Sequence, residues 1–290
     1  MPGALHSDRE VELLDHLPSM AGTFVKALVP TKKGIAEIPL HAVAVTSYAQ
    51  DSARLAQYNR VCGFTLRDEV PSTWLHVLTF PLHVRLLGSS QSNIRLVGVV
   101  HVSNHIVQHR PVLATEALNI TVNAANLRPH RRGALVDLVG QIRVANELVW
   151  EGTSTYLASG MRTPGEPRSA DRDPFKEVSG HALWHLPLSL GKQYRAVSGD
   201  PNPIHTSRVA ARTFGFKRPI IHGMWTHARG LAALEGRLPQ AYDVMVDFAR
   251  PILLPGSVGF TAVPHGAGFE CVVTDRAGTK AHLTMSVKPL

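Results

Sequence analysis

Near the end of the chain, apolar and polar residues alternate one for one. In YDVMVDF, residues 242–248, Tyr242, Val244, Val246 and Phe248 share one face. GFECVVTD, residues 268–275, groups Phe269, Cys271 and Val273. AHLTMSVK, residues 281–288, sets Ala281, Leu283, Met285 and Val287 against His282, Thr284 and Ser286. A period of two predicts half-buried antiparallel strands, and DRAG at 275–278 predicts the hairpin turn between the last two. Upstream the period lengthens. In GMWTHARGLAALEG, Met224, Ala228, Leu231 and Ala232 recur at helical spacing, and their modest size lets a sheet wrap closely around that helix. SRVAARTFGF predicts a short helix capped by Thr206 or Ser207 and ended at Gly215. A long helix followed by a curled antiparallel sheet is an α+β plan.

The pattern occurs twice. YNRVCGF from Tyr58 parallels YRAVSGD from Tyr194, and HVSNHIVQHRPVL ending at Leu113 parallels YDVMVDFARPILL ending at Leu254. One duplicated unit is expected, since a solenoid needs more copies. The expected order is an N-terminal extension over 1–40, a first unit over 41–162, a linker over 163–182 and a second unit over 183–290. The linker is rich in Pro, Gly and charge, with little to bury. Within the extension a helix is expected near Arg9 to Leu17.

Composition narrows the function classes. The chain has 290 residues, 44% of them hydrophobic, enough for a sizeable core. No apolar run reaches the roughly 18 residues that span a bilayer, so no membrane is expected. The opening MPGALHSDREVELLDH carries acids where a secretory leader places basic and then apolar residues, which gives a cytoplasmic expectation. Cys62 and Cys271 stand far apart, excluding a disulfide scaffold and a cysteine zinc site. Net charge is +8, but the basic residues are scattered and no nucleic-acid motif accompanies them. A phosphorylated small molecule or an acidic carrier protein accounts for that charge as well as nucleic acid would, and so does a solvated surface.

The candidate chemistry lies in GDPNPIHTS, residues 199–207. Pro201 and Pro203 bias Asp200 and Asn202 out of the helical region, so the loop is stiff before the short helix begins. Alone, Asp200 reads as a turn residue bonding its own backbone, and His205 as a satisfied core histidine. Together they can hold a water, one group accepting its proton while the other orients it. Asn202 can donate to the same water or to a substrate carbonyl. No G-x-S-x-G nucleophile is present, so an acyl-enzyme is not suggested. Gly223 in PIIHGM begins the long helix, where free N–H groups can polarise a thioester carbonyl and glycine leaves room for it to approach. His222 and His227, five apart, are poorly spaced for a metal on one helical face, and no metal is expected.

The stretch YRAVSGDPNPIHTSRVAARTFGFKRPIIHGM resembles the signature of the MaoC-like, or hydratase 2, family of hotdog-fold proteins. FARPILLPG is similar to that family's next strand. The two-copy layout, with HRRGALVDL near Arg131, resembles the double-hotdog dehydratases of fatty-acid metabolism. The resemblance implies a double hotdog and reversible hydration of trans-2-enoyl thioesters to (3R)-3-hydroxyacyl thioesters. Carried over, Asp200 and His205 act on water, Asn202 helps position it, and the Gly223 amide binds the thioester oxygen. Pro219, Ile220, His222 and Met224 then surround the substrate, with orientation of the loop through hydrogen bonds as the other reading of His222. Lys217, Arg218 and Arg250 are candidate contacts to coenzyme A phosphates, and a solvated surface accounts for each equally well. Thr206-Ser207 departs from the Asp-Pro pair many members place there, though either can cap. No cofactor is implied, because coenzyme A or the phosphopantetheine of acyl carrier protein arrives with the substrate. A homodimer is left open.

Laid on the second copy without gaps, the first places Phe64 opposite Asp200 and Glu69 opposite His205, with no glycine opposite Gly223. It is expected to be catalytically silent. The resemblance implies that such a half helps accommodate the acyl chain. Two other readings of the same pocket stand beside the hydratase: a non-catalytic acyl-thioester-binding protein and a hotdog thioesterase.

Overall fold

A computed structural model describes residues 10–20, 34–94, 99–167 and 182–290. Most of the expected linker, and much of the extension, lie outside the described residues. Packing divides the chain into two compact units, and each is assembled from separate segments. One comprises Met1–Gln50, Leu75–Asn104 and Thr115–Ala170; the other comprises Asp51–Trp74, His105–Ala114 and Asp171–Leu290. Part of the N-terminal copy therefore belongs to the second unit. No helix among the described residues is long and apolar enough to cross a membrane.

The first unit holds strands β1 (Val11–Leu14), β2 (Ala42–Tyr48), the start of β3 (Val99–Gln108), β4 (Leu118–His130), β5 (Gly133–Val144) and β6 (Glu147–Ser159). Their order is β1-β2-β4-β5-β6-β3. β4, β5 and β6 form an antiparallel meander. Most of a long helix, Ser72–Leu87, belongs here too, and Leu75, Leu78, Leu82, Leu86 and Leu87 along it are fully buried. A helix apolar all round is a core helix. Leu87 joins Ile94, Val136, Leu138 and Tyr156 in one apolar cluster.

The helix expected near Arg9 to Leu17 is not formed. Val11–Leu14 is a strand parallel to β2, paired from Val11–Ala42 to Leu14–Val45. The sheet edge supplies the backbone partners, Ala42 N–H donating to the Glu10 carbonyl at 2.9 Å. Glu12 is tied to Arg85 and, at 3.6 Å, to His41. Pairing at the edge overrides local propensity, which is a weak prior over so few residues.

The second unit holds α1 (Ser52–Cys62), β7 (Ala182–Leu186), α3 (Leu190–Ser198), a 3-10 turn (Pro203–His205), α4 (Arg208–Thr213), α5 (Gly223–Ala233) and β8 to β11 (Tyr242–Phe248, Gly256–His265, Gly268–Asp275, Ala281–Pro289). The helix Ser72–Leu87 is α2. The strand order is β3-β8-β11-β10-β9-β7. Val244, Val246, Val273, Leu283, Met285 and Val287 are all buried, as the alternation predicts. Gly278 N–H closes the hairpin turn on the Asp275 carbonyl at 3.0 Å. Helix plus wrapping antiparallel sheet is the expected α+β hotdog plan, and the chain holds it twice.

The backbone shows how the two copies correspond. α1 ends at Gly63 (φ 83°) and α3 at Gly199 (φ 77°), both left-handed. Val70 N–H donates to Val112 O and Ala114 N–H to Asp68 O, each at 2.8 Å. Ile221 N–H donates to Ile252 O at 2.9 Å and Leu254 N–H to Pro219 O at 2.7 Å. Glu69 bridges Leu113 as Ile220 bridges Leu253. Glu69 therefore corresponds to Ile220, not to His205. The gapless alignment fails because Asp68 follows Gly63 by five residues, whereas Pro219 follows Gly199 by twenty. The second copy carries fifteen more residues at this point.

Candidate active site

The longer loop is built by its own side chains. Gly199 lets the chain turn off α3, and the Ser198 hydroxyl accepts from Asp200 N–H at 3.3 Å. Asp200 Oδ1 accepts from Asn202 N–H at 2.9 Å, an Asx turn. That bond leaves Oδ2 to face the site. The Asn202 side-chain oxygen accepts from Ile204 N–H at 3.3 Å and caps the 3-10 turn, with Pro203 at its first position. Asn202 thus commits its oxygen to the loop. Of the two caps foreseen for α4, Ser207 is the one used, accepting from Ala210 N–H at 3.2 Å.

His205 closes the loop. Its Nδ1 lies 2.8 Å from the Ile220 carbonyl, so Nδ1 must carry the proton and donate. Nε2 then presents a lone pair. That Nε2 lies 3.9 Å from Asp200 Oδ2. The separation is too long for a direct hydrogen bond and suits one small molecule that donates to both. Burial lowers the His205 pKa; the Asp200 charge and the Ile220 bond oppose this only in part. The ring is therefore neutral at pH 7 and ready to accept a proton.

A second imidazole completes the group. His222 is 3% exposed, and its ring stacks on His205 with centroids 3.6 Å apart and planes at 24°. Its Nε2 lies 3.8 Å from the same Asp200 Oδ2. The Tyr194 ring lies tilted against it, with centroids 4.9 Å apart. Burial, then His205, then Arg195 push its pKa well below the ordinary value. Asp200, His205 and His222 each offer one ligand atom within 4.8 Å of the others.

His222 is also the N-cap of α5, and its side chain makes no capping bond. Trp225 and Thr226 N–H donate to the His222 carbonyl, so the amides of Gly223 and Met224 precede the helical ladder. The glycine has a packing reason as well as room for a carbonyl. A Cβ there would lie 2.9 Å from two ring carbons of Phe248.

The remaining expected site residues divide. Pro219, Ile220 and Met224 are buried beside this group in sequence, and the first two lend their carbonyls to Leu254 and His205. Arg250 donates to the Ala281 carbonyl at 3.0 Å. Among the described residues neither Arg250 nor Arg218 contacts the Asp200 group. Reading the sequence missed the Ile220 carbonyl, because a backbone atom leaves no residue signature. It missed Phe248 as the neighbour of Gly223, although the alternation had placed Phe248 on the inward face. The first copy supports the site from outside: Arg54 Nε donates to the Val197 carbonyl at 2.8 Å and Trp225 Nε1 to the Val61 carbonyl at 2.9 Å. Tyr58 and Tyr194, the paired tyrosines of the repeat, meet at 6.2 Å.

Known proteins are similar to this chain. Residues 189–280 match the MaoC like domain. The chain is 37% identical over 256 residues to the 3-hydroxyacyl-thioester dehydratase X of Mycobacterium tuberculosis, covering 88% of this chain and 91% of that one. It is 25% identical over 230 residues to the peroxisomal enoyl-CoA hydratase 2 of Arabidopsis thaliana, covering 67% of this chain and 74% of the relative. The crystal structure of HtdX of Mycobacterium tuberculosis superimposes with a TM-score of 0.77 at 36% identity, over 86% of this chain and all of that one. The whole proline-braced loop lies inside the matched domain, and the similarity extends through both copies: the chain belongs to the MaoC-like dehydratase family.

Proposed function

We propose that the protein catalyses reversible addition of water to trans-2-enoyl thioesters, giving (3R)-3-hydroxyacyl thioesters, as a hydro-lyase of fatty-acid metabolism. Water sits between Asp200 Oδ2 and His205 Nε2 and donates a hydrogen to each. Its oxygen bonds C3 of the substrate while His205 takes its proton. The electron pair of the double bond moves to C2 and the thioester oxygen, where the Gly223 amide opposes the growing charge. The imidazolium formed beside Asp200 then returns that proton to C2. One water is added and both groups recover their starting protonation. The reverse path is dehydration.

The observation that carries this reading is the facing pair, Oδ2 and Nε2 3.9 Å apart, with the His205 tautomer fixed by Ile220. The first copy has no counterpart to either group and is silent in this scheme. Neither a metal nor a redox cofactor takes part. The thioester arm belongs to coenzyme A or to acyl carrier protein and arrives with the substrate, in the cytoplasm, and pairing of two chains is compatible with the scheme. The test is crotonyl-CoA followed by enoyl absorbance beside a thiol reagent. Hydration removes the absorbance and releases no thiol. Release of thiol in step with the loss would make the protein a thioesterase, and binding without turnover would make it a carrier of thioesters.

A further inference from the structure

His222 has no part in that scheme, yet it is the most deeply buried polar group of the site. Both its ring nitrogens are enclosed and neither meets a hydrogen-bond partner among the described residues. A buried ring nitrogen left in this way is costly, so a partner supplied by the substrate or by water is expected. His222 is held in place all the same, by the stacked His205 ring and the tilted Tyr194 ring. The direction of its Nε2 follows from the shared 3.8 Å approach to Asp200 Oδ2.

We infer that His222 is a third catalytic group, whose Nε2–H donates to the oxygen that Asp200 and His205 hold. The inference rests on the hydratase reading above. Three atoms within 4.8 Å of one another leave room for an oxygen about 2.8 Å from all three. Such a water donates one hydrogen to the Asp200 carboxylate and one to the His205 lone pair. It accepts one from His222. Three of its four tetrahedral positions are then fixed, and the remaining lone pair points to C3 of the substrate. In the dehydration direction the same N–H stays on the departing hydroxyl as the C3–O bond breaks and the proton arrives from His205. His222 needs to be neutral for this role. Its depressed pKa agrees, and a cationic ring stacked on His205 would oppose proton uptake by that base.

Two substitutions separate donation from stacking. His222→Phe keeps a ring against His205 and removes the donor. His222→Gln gives up the ring and keeps an amide N–H at about the Nε2 position. With crotonyl-CoA, His222→Phe is expected to lose 10-fold to 100-fold in kcat with KM within about threefold, and His222→Gln to stay within about fivefold of the parent. If the ring serves only as a spacer, the order reverses: Phe keeps the rate and Gln loses it. Equal retention by both, or a loss carried by KM alone, would also overturn the inference. Should His222→Phe fail to fold, His222→Ala replaces it, and imidazole should restore activity where 1-methylimidazole, which has no N–H, does not. Restoration by both, or by neither, counts against the inference. An inactive parent protein would instead refute the hydratase reading itself.

Discussion

Two helices of the second unit end alike and lead to different ends. α1 and α3 stop at left-handed glycines, Gly63 and Gly199, and both chains go on to pair with an Arg-Pro segment through matching backbone bonds. Between those fixed points one copy uses four residues, Phe64 to Arg67, and the other uses nineteen, Asp200 to Arg218. The short version simply closes. The long version carries Asp200, Asn202, His205 and the small helix α4. A frame that tolerates both lengths does not depend on the loop, so the loop is free to carry chemistry.

That comparison can be broken most severely by exchange. Replacing 200–218 with the four-residue turn of the first copy should leave a folded protein, by far-UV circular dichroism, with hydration reduced roughly 10⁴-fold or more, since both groups on water are lost. Appreciable turnover of crotonyl-CoA by that chimera would show that the site lies elsewhere.

Buried histidines sharpen it next, because the two copies use theirs differently. His76 on α2 is buried, and burial lowers its pKa to about 4 from the ordinary 6.5. The unfolded chain therefore binds protons more readily than the folded one. The stability is present above pH 6.5 and is lost as pH falls toward 4, by about 3 kcal/mol for this group. Urea unfolding at pH 7 and at pH 4 should show that loss, and His76→Phe should reduce it. His205 is also depressed, with Asp200 opposing. As a base it works while neutral, so kcat/KM for hydration should hold below pH 6.5 and then decline in acid. A limb centred above pH 6.5 would contradict the assignment.

A smaller effect is expected at the start of α5. The Cβ of Gly223→Ala meets the Phe248 ring and should destabilise by about 1–3 kcal/mol. Adding Phe248→Leu should recover part of that in thermal unfolding, as coupled neighbours do. The smallest effect belongs to the first copy. Glu69 works there through its backbone bridge to Leu113, so Phe64→Ala and Glu69→Ala should change crotonyl-CoA turnover less than about twofold. A collapse of activity in folded protein would give the first copy a share in the chemistry.

Much of this was legible before any coordinates. Strict alternation identified β8, β10 and β11, because a half-buried strand writes its two faces into successive residues. Asp200, Asn202 and His205 could be read because prolines fix their loop locally. Other features depend on contacts that no single stretch records. Val11–Leu14 becomes a strand only because β2 offers it an edge. The true partner of Glu69 is Ile220, which a gapless comparison cannot find across fifteen added residues. The Ile220 carbonyl that sets the His205 tautomer belongs to a backbone fifteen positions away, and the stack of His222 on His205 needs the loop and α5 brought together.

The central claim is that Asp200 acts on the reacting water and not on binding. The most direct measurement is Asp200→Asn, a substitution of nearly the same shape that retains Oδ1 for the Asn202 amide. Stopped-flow turnover and equilibrium binding of crotonyl-CoA should be measured on one preparation. The account predicts a rate reduced at least about 100-fold with Kd changed less than threefold. A variant that keeps more than about a tenth of the parent rate, or that loses binding in proportion to rate, would contradict it.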